Sequence, residues 1–221
     1  MRVASLFIVS APSGAGKTSV VRAALSAEPT MRLSVSCTTR PPRQGEIAGR
    51  DYFFVSDAEF ERMAAAGDFL EEAEVHGNRY GTPHDAIERS IAEGRDVVLE
   101  IDWQGAAAVR RLAPSAVSVF ILPPSLAALA ERLQQRGQDD ACIIARRLAA
   151  ARGEIAHVAD FDYVIMNDAF QRAVQDLLAI IRAERLKRAP QLSRYADLLQ
   201  QLETPGLAAQ PNKENHGPHH R

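Results

Sequence analysis

A glycine-rich turn near the amino terminus limits what this chain can fold into more than any other feature. The apolar run Leu6-Phe7-Ile8-Val9 has the length of a buried strand, and a helical pattern begins at Ser19. Between them lies the stretch Ser10-Ala11-Pro12-Ser13-Gly14-Ala15-Gly16-Lys17-Thr18. The order of strand, glycine-rich turn and helix is the context in which a Gly-Lys-Thr match indicates a phosphate-binding loop.

The residue types in this turn suit the chemistry of phosphate. Gly14 and Gly16 allow backbone dihedrals that point successive N–H groups at one anion, and the following helix adds its dipole. Lys17 supplies a charge for the outer phosphates, while the Thr18 hydroxyl suits Mg²⁺. The general pattern has glycine where this chain has Ala11, which the loop tolerates if φ is negative there. We therefore predict that nucleotide phosphates bind to Ala11, Pro12, Ser13, Gly14, Ala15, Gly16, Lys17 and Thr18.

Composition and charge exclude several other classes of protein. The formal net charge of −2 over 221 residues gives no general footprint for DNA or RNA. Cys37 and Cys142 lie far apart, so neither a disulfide framework nor a zinc site is indicated. No apolar run reaches the length of a membrane span, and the first residues lack the pattern of a signal peptide. We expect a cytoplasmic protein that binds neither nucleic acid nor membrane.

Strand-length apolar segments alternate with segments of helical period along the chain. This alternation predicts an α/β fold with a mostly parallel central sheet flanked by helices. Residues 32–37 are expected to form one extended run, and Ser56 is expected to cap a short helix that ends at Gly67. A further helix is expected to start with Thr82 at the cap and Pro83 in the first turn. Later helices are predicted over residues 125–135, 141–159 and 170–188.

The segment after the second predicted strand carries groups suited to a second anion. Arg40 and Arg43 are held by Pro41 and Pro42, and a guanidinium group matches phosphate oxygens two at a time. Taken alone, an arginine pair of this kind more often lies in a solvated loop. The nearby polar candidates are Ser36, Tyr52, Glu71, Tyr80 and Thr82, with Asp102 at the end of the most apolar strand.

Three further motifs identify a family. The stretches Ser-Cys-Thr-Thr-Arg-Pro-Pro-Arg-Gln-Gly-Glu, Gly-Asn-Arg-Tyr-Gly-Thr and Glu-Ile-Asp-Trp-Gln-Gly follow the phosphate loop in this order. In these motifs the chain resembles the guanylate kinase family, bacterial type, from about Ser5 to Arg185. The resemblance implies a P-loop NTPase core formed by residues 1–33, 96–133 and 153–190. It also implies a GMP-binding insertion over 34–95, a helical lid over 134–152 and a carboxyl-terminal extension over 191–221 whose end we expect to be disordered.

The resemblance also assigns the acceptor-site residues. It implies that the GMP phosphate is bound by Arg40, Arg43, Tyr52 and Tyr80, and the guanine by Ser36, Glu71, Thr82 and Asp102. The chemistry of guanine agrees with this assignment, since N1–H and the N2 amine lie side by side and one carboxylate accepts from both. Adenine presents an acceptor in place of N1–H, so a buried carboxylate would discriminate strongly against it.

For the donor side, the resemblance implies catalytic roles for Lys17, Arg132, Arg136 and Arg147 and places Asn167 near the adenine. The implied reaction transfers the γ-phosphoryl group of ATP to GMP, giving ADP and GDP, with Mg²⁺ at Thr18. Positive charge would offset the charge that spreads over the phosphoryl oxygens, and no covalent intermediate is needed. We expect dGMP to be accepted too, and a homo-oligomer is compatible with the sequence.

Two alternatives stay open at this point. A P-loop kinase that acts on another monophosphate would share the donor site. A non-catalytic protein-binding module of the guanylate-kinase type is the alternative from another class, although such modules typically lack the intact Gly16-Lys17-Thr18 present in this chain.

Overall fold

The computed structural model describes residues 4–75, 77–135 and 141–203. Its strands are β1 (Leu6–Ser10), β2 (Met31–Ser34), β3 (Cys37–Thr38), β4 (Phe53–Phe54), β5 (Phe69–Val75), β6 (Asn78–Pro83), β7 (Asp96–Glu100), β8 (Val117–Leu122) and β9 (Tyr163–Met166). Its helices are α1 (Lys17–Ala27), α2 (Asp57–Ala66), α3 (His84–Ala92), α4 (Trp103–Leu112), α5 (Leu126–Gln135), α6 (Ala141–Ile155), α7 (Phe170–Arg185), α8 (Arg188–Arg194) and α9 (Ala196–Glu203). A 3₁₀ turn covers Val158–Asp160.

The central sheet has five strands in the order β2-β7-β1-β8-β9. Every neighbouring pair in it is parallel, so the predicted α/β class with a parallel central sheet is confirmed. Because β1 lies in the middle, the turn that follows it lies at the centre of the carboxyl edge of the sheet. Ligands bind at this edge in open α/β sheets.

Helices cover both faces of the central sheet. Phe7 and Val9 pack with apolar side chains of α1 and α7 on one face. Ile8 points to the opposite face and packs with side chains of α3 and α4. This alternation is the ordinary two-residue period of a strand. Since both faces are buried, β1 is a continuous apolar run, as expected for a parallel sheet.

A second sheet of four strands, in the order β4-β3-β6-β5, lies between β2 and α3 in the chain. Strand β3 pairs with β4 in parallel and with β6 in antiparallel, and β5 pairs with β6 in antiparallel. The predicted extended run over residues 32–37 is therefore wrong in one respect. The chain leaves the central sheet at Ser34 and enters the second sheet at Cys37, so two strands replace one.

Several helix boundaries follow the sequence signals and others do not. The Ser56 hydroxyl accepts a hydrogen bond from the Glu59 N–H, and α2 ends at Gly67 with φ +74°, as predicted. The predicted start of α3 is wrong, because Thr82 and Pro83 still pair with β5. Helix α3 begins at His84 instead.

The later predicted helices differ in length from the observed ones. Helix α6 ends at Ile155 and a 3₁₀ turn takes the place of its predicted last turn. Helix α7 ends at Arg185, three residues before its predicted end, and α8 follows from Arg188. No helix among the described residues combines the length and the apolar character needed to cross a membrane. The domain boundaries expected from the sequence stay predictions.

Candidate functional site

The turn between β1 and α1 has the geometry of an anion-binding loop. Gly14 and Gly16 have φ values of +91° and +94°, which favour glycine because a side chain would be strained there. Gly16 also lies directly against Asn167, since an added Cβ would be 2.5 Å from Asn167 Nδ2. Gly16 is the residue from which α1 begins, so the first N–H groups of the helix face the loop.

Two side chains support this loop from behind. Asn167 is buried and its Nδ2 donates to the Ala15 carbonyl at 2.7 Å. Arg132 donates from Nη1 to the same carbonyl at 3.3 Å and from Nη2 to the Asn167 carbonyl at 3.0 Å. Both side chains thus bind the loop on the side that faces away from the cavity, and their hydrogen bonds restrain the loop backbone.

Lys17 and Thr18 are tied to the strand next to β1. Lys17 Nζ donates to the Ile101 carbonyl at 3.0 Å. The Thr18 hydroxyl donates to the Glu100 carboxylate. Glu100 is the last residue of β7 and was missed by the sequence analysis, which chose Asp102 in the same motif. Its place at the carboxyl end of a strand beside β1 is a signal that could have found it.

Glu154 is a second residue that the sequence analysis missed. It lies near the end of α6, and its Oε2 accepts a hydrogen bond from the Ser13 N–H at 3.1 Å. Burial raises the pKa of the Glu154 carboxyl, while the Ser13 hydrogen bond and the Lys17 charge oppose this rise. A carboxylate thus lines the same cavity as the loop. No local pattern predicts this contact, because the two residues are 141 positions apart in the chain.

The second sheet brings three predicted guanine-site residues together. Glu71 and Thr82 are opposite each other on β5 and β6. The Thr82 hydroxyl donates to Glu71 Oε1 at 2.5 Å, and it lies 3.4 Å from the Ser36 hydroxyl. All three side chains are buried. Burial raises the pKa of the Glu71 carboxyl to about 7, with the Thr82 hydrogen bond acting in the opposite direction.

The two predicted phosphate-binding arginines differ in their surroundings. Arg40 is buried and donates to both oxygens of Glu46, at 3.0 and 2.9 Å. Its Nε also donates to the Tyr80 hydroxyl at 3.3 Å, and its guanidinium lies 5.4 Å from the centre of the Tyr52 ring. Arg43 is exposed and lines the cavity.

Tyr52 and Asp102 also line this cavity. Burial, together with the charge of Glu100, raises the pKa of the Tyr52 hydroxyl, which keeps it protonated as a donor. Asp102 caps α4, since its Oδ1 accepts from the Gly105 N–H at 2.9 Å. Its Oδ2 accepts from Gln104 Nε2 at 3.1 Å. Asp102 therefore has a structural role that the sequence analysis did not predict.

One cavity joins the two groups of predicted site residues. From the loop it is lined by Ala11, Pro12, Ser13, Gly14, Gly16, Lys17 and Thr18, and from the acceptor group by Ser36, Arg43, Tyr52, Glu71, Tyr80 and Asp102. The remaining described candidates lie outside this lining, namely Ala15, Arg40, Thr82, Arg132, Arg147 and Asn167. Of these, Arg147 is half-buried on α6. Arg136 lies outside the described residues.

Comparisons with known proteins agree on one family. The guanylate kinase family model matches residues 3–184. The chain is 57% identical to the guanylate kinase of Methylobacillus flagellatus over 198 residues, which are 90% of this chain and 98% of that protein. It is 56% identical to the guanylate kinase of Nitrosomonas europaea, over 88% of this chain and 96% of that protein.

A solved structure supports the same conclusion. The crystal structure of guanylate kinase from Anaplasma phagocytophilum superposes with a TM-score of 0.73 at 36% identity, covering 85% of this chain and 89% of that one. The resemblance found in the sequence motifs is thereby confirmed, and the fold is that of an α/β P-loop NTPase. The chain belongs to the guanylate kinase family.

Proposed function

We propose that this chain is an ATP:GMP phosphotransferase that makes ADP and GDP, and so recycles GMP and supplies GTP and dGTP in purine nucleotide metabolism. The observation that carries the proposal is the shared cavity, which the phosphate loop around Lys17 lines together with Glu71 and Arg43. Membership of the guanylate kinase family supports it independently. The cytoplasmic location and a homo-oligomeric state stay predictions.

On the donor side, the phosphates of ATP bind to the backbone of residues 11–18. The Lys17 ammonium group is already held at the cavity through Ile101, so it can turn to a phosphate with little movement. Arg132, Arg136 and Arg147 add positive charge when the lid closes. Arg132 must leave the Ala15 and Asn167 carbonyls to do so. Asn167 is assigned to the adenine side of this site.

On the acceptor side, Arg40, Arg43, Tyr52 and Tyr80 bind the phosphate of GMP. Arg40 and Glu46 form a bidentate pair, which fixes the guanidinium plane near Tyr80 before the substrate arrives. Glu71 accepts from N1–H and the N2 amine of guanine, with Ser36, Thr82 and Asp102 around it. None of these contacts involves the ribose 2′ position, so dGMP is expected to be a second acceptor.

The residues at the loop fit a magnesium ion. The Thr18 hydroxyl and a Glu100 carboxylate oxygen are in contact, and both residues line the cavity. Mg²⁺ in nucleotide sites is typically bound by oxygen atoms, of which one or two come from the protein and the others from phosphates and water. We assign Thr18 to the metal, with Glu100 beside it. When bound, Mg²⁺ offsets negative charge on the transferred phosphoryl group and orients it.

The chain's own residues supply charge, orientation and exclusion of water. The phosphate of GMP is an anionic nucleophile, so no strong general base is required. Its oxygen attacks the γ-phosphorus as the bond to the β-phosphate oxygen breaks, and ADP leaves with that electron pair. Lys17 and the arginines stabilise the charge that spreads over the phosphoryl oxygens. Closure of the lid over residues 134–152 keeps water from competing with GMP.

The experiment that tests this function compares acceptors. ADP release from ATP is measured with GMP, dGMP, AMP and UMP at equal concentrations. We expect turnover with GMP and dGMP that exceeds turnover with AMP and UMP by orders of magnitude. Equal rates with all four acceptors would exclude a guanine-specific site, and no turnover with GMP or dGMP would exclude a guanylate kinase.

A further inference from the structure

Gly105 lies against the side chain that the proposed function assigns to the guanine. It belongs to the first turn of α4 and is buried. A Cβ placed on Gly105 would be 2.6 Å from Glu71 Oε2 and 3.0 Å from Glu71 Cδ. The position shows no left-handed backbone that would call for glycine. The third neighbour of this Cβ would be Ile101 Cβ at 3.3 Å. The closest contacts that call for glycine here are therefore those with the Glu71 carboxylate.

The same glycine also contacts the second acid of the proposed guanine site. Its N–H donates to Asp102 Oδ1 at 2.9 Å. Asp102 and Glu71 are close enough for the charge of Asp102 to contribute to the raised pKa of the Glu71 carboxyl. Gly105 thus fixes one carboxylate by a hydrogen bond and leaves space for the other.

We propose that Gly105 is a positioning residue for guanine specificity: its lack of a side chain lets the Glu71 carboxylate lie against the first turn of α4, where it reads the base. This inference rests on the proposed function, because it takes Glu71 as the group that accepts from guanine. It adds that Gly105, in the first turn of α4, determines the position of the Glu71 carboxylate.

A methyl group at position 105 would press most closely on the Glu71 carboxylate, which is the end of a flexible side chain. To reach an ordinary contact of 3.4 Å, Glu71 Oε2 must recede by about 0.8 Å, the difference between 3.4 and 2.6 Å. The carboxylate is buried and bonded to Thr82 through its other oxygen, so this movement also disturbs that bond. Paired hydrogen bonds to a base lose strength steeply with such displacement.

The test is a double-mutant cycle of Gly105→Ala and Glu71→Ala, with Gly153→Ala as the matched control. Gly153 is the other helical glycine with a described environment, and an added Cβ there has no neighbour within 4 Å. The readouts are KM for GMP, KM for ATP, and the ratio of kcat/KM for GMP over inosine monophosphate, which lacks the N2 amine. Thermal unfolding of each variant reports on the fold.

We expect Gly105→Ala to raise KM for GMP about 10- to 100-fold and to reduce the preference for GMP over inosine monophosphate. KM for ATP and the Gly153→Ala control should change less than about twofold. The melting temperature of Gly105→Ala should fall by a few degrees, because the added methyl overpacks a buried site and disturbs the hydrogen bond from Thr82 to Glu71. The kinetic assays are therefore run at a temperature where every variant stays folded. In the Glu71→Ala background, Gly105→Ala should have no further effect on GMP.

Three outcomes would overturn the inference, and they separate it from the proposed function. If Glu71→Ala impairs GMP use and Gly105→Ala does not, the role of Gly105 is wrong while the guanine site stands. Independent effects of the two substitutions would show that Gly105 acts other than through Glu71. If Glu71→Ala leaves both KM for GMP and the base preference unchanged, the guanine assignment itself fails and takes the inference with it.

Discussion

The phosphate loop and the second sheet face the same cavity but are built in different ways. The loop presents mainly backbone N–H groups, and side chains such as Asn167 hold its outer side. On the side of the second sheet, side chains are held by other side chains. The buried Glu71, which lines the cavity, accepts from Thr82, and the buried Arg40, which lies outside the lining, donates to Glu46. Backbone groups recognise any phosphate chain, whereas a fixed set of side chains can distinguish one base from another. We therefore expect the loop to supply binding energy for any nucleotide phosphate, and the side chains of the second sheet to supply specificity for the base.

The largest effect is expected on the loop side. Lys17→Ala removes the ammonium group that we propose binds the transferred phosphate, and we expect kcat to fall by roughly 1,000-fold or more. Binding of GMP alone, measured by calorimetry, should change little because Lys17 belongs to the other half of the cavity. A variant that keeps turnover within tenfold of the wild type would contradict the role of the loop in catalysis.

The two arginines of the acceptor half sharpen the comparison. Arg40→Ala leaves Glu46 without its bidentate partner, so we expect the free energy of unfolding to fall by about 2 kcal/mol as GMP binding weakens. Arg43→Ala removes an exposed cavity side chain, and KM for GMP should rise about tenfold with no loss of stability. Denaturant unfolding and steady-state kinetics measure both. Equal stability losses in the two variants would show that the surroundings of Arg40 are not special.

The acceptor half should also respond to pH. Burial raises the pKa of the Glu71 carboxyl to about 7, and guanine needs the ionised form, so GMP affinity should rise by up to about tenfold per pH unit below 7 and level off above it. Stability should move the other way. The native state keeps a proton that the unfolded state loses above about 4.5, so the contribution of Glu71 declines as pH rises from about 4.5 to 7.

Glu71→Gln serves as the control for this pH profile. The GMP phosphate itself titrates near pH 6, and the variant reports that background alone. Calorimetric titrations between pH 5.5 and 8.5 should show a shallower profile for Glu71→Gln than for the wild type. Superimposable profiles would mean that Glu71 does not titrate in this range.

The smallest effect is expected from Glu154. Glutamine at this position keeps an oxygen acceptor for the Ser13 N–H but removes a negative charge that interacts with Lys17. ADP should therefore bind about two- to fivefold more tightly to Glu154→Gln. Weaker binding of ADP would indicate that the charge of Glu154 supports the loop rather than opposing the nucleotide.

The same contrast explains what could be predicted from the sequence. The loop is contiguous, so strand, turn and helix were all readable from residues 6–25. The acceptor residues come from separate segments: Glu71 lies on β5, Tyr80 and Thr82 lie on β6, and Asp102 caps α4. The motif order of the family was needed to group them. Glu154 escaped prediction because its contact with Ser13 depends on how α6 packs, which no local pattern encodes.

Local signals also failed where tertiary pairing overrode them. Pro83 suits the first turn of a helix, but its pairing with Phe69 keeps it in β6. Asp102 was chosen for its place at a strand end, and it does line the cavity, yet it also caps α4. Glu100 lies two residues earlier and contacts Thr18. Which of these two acids lies beside Thr18 depends on the register of β7 against β1, in which Glu100 pairs with Val9.

The central claim is that Glu71 gives this cavity its preference for guanine while the loop serves ATP. The most direct measurement is the ratio of kcat/KM for GMP over AMP in the wild type and in Glu71→Gln, with KM for ATP recorded in both. We predict that the ratio falls by about 100-fold or more in the variant while KM for ATP stays within twofold. An unchanged ratio, or an equal loss for both acceptors, would contradict the account.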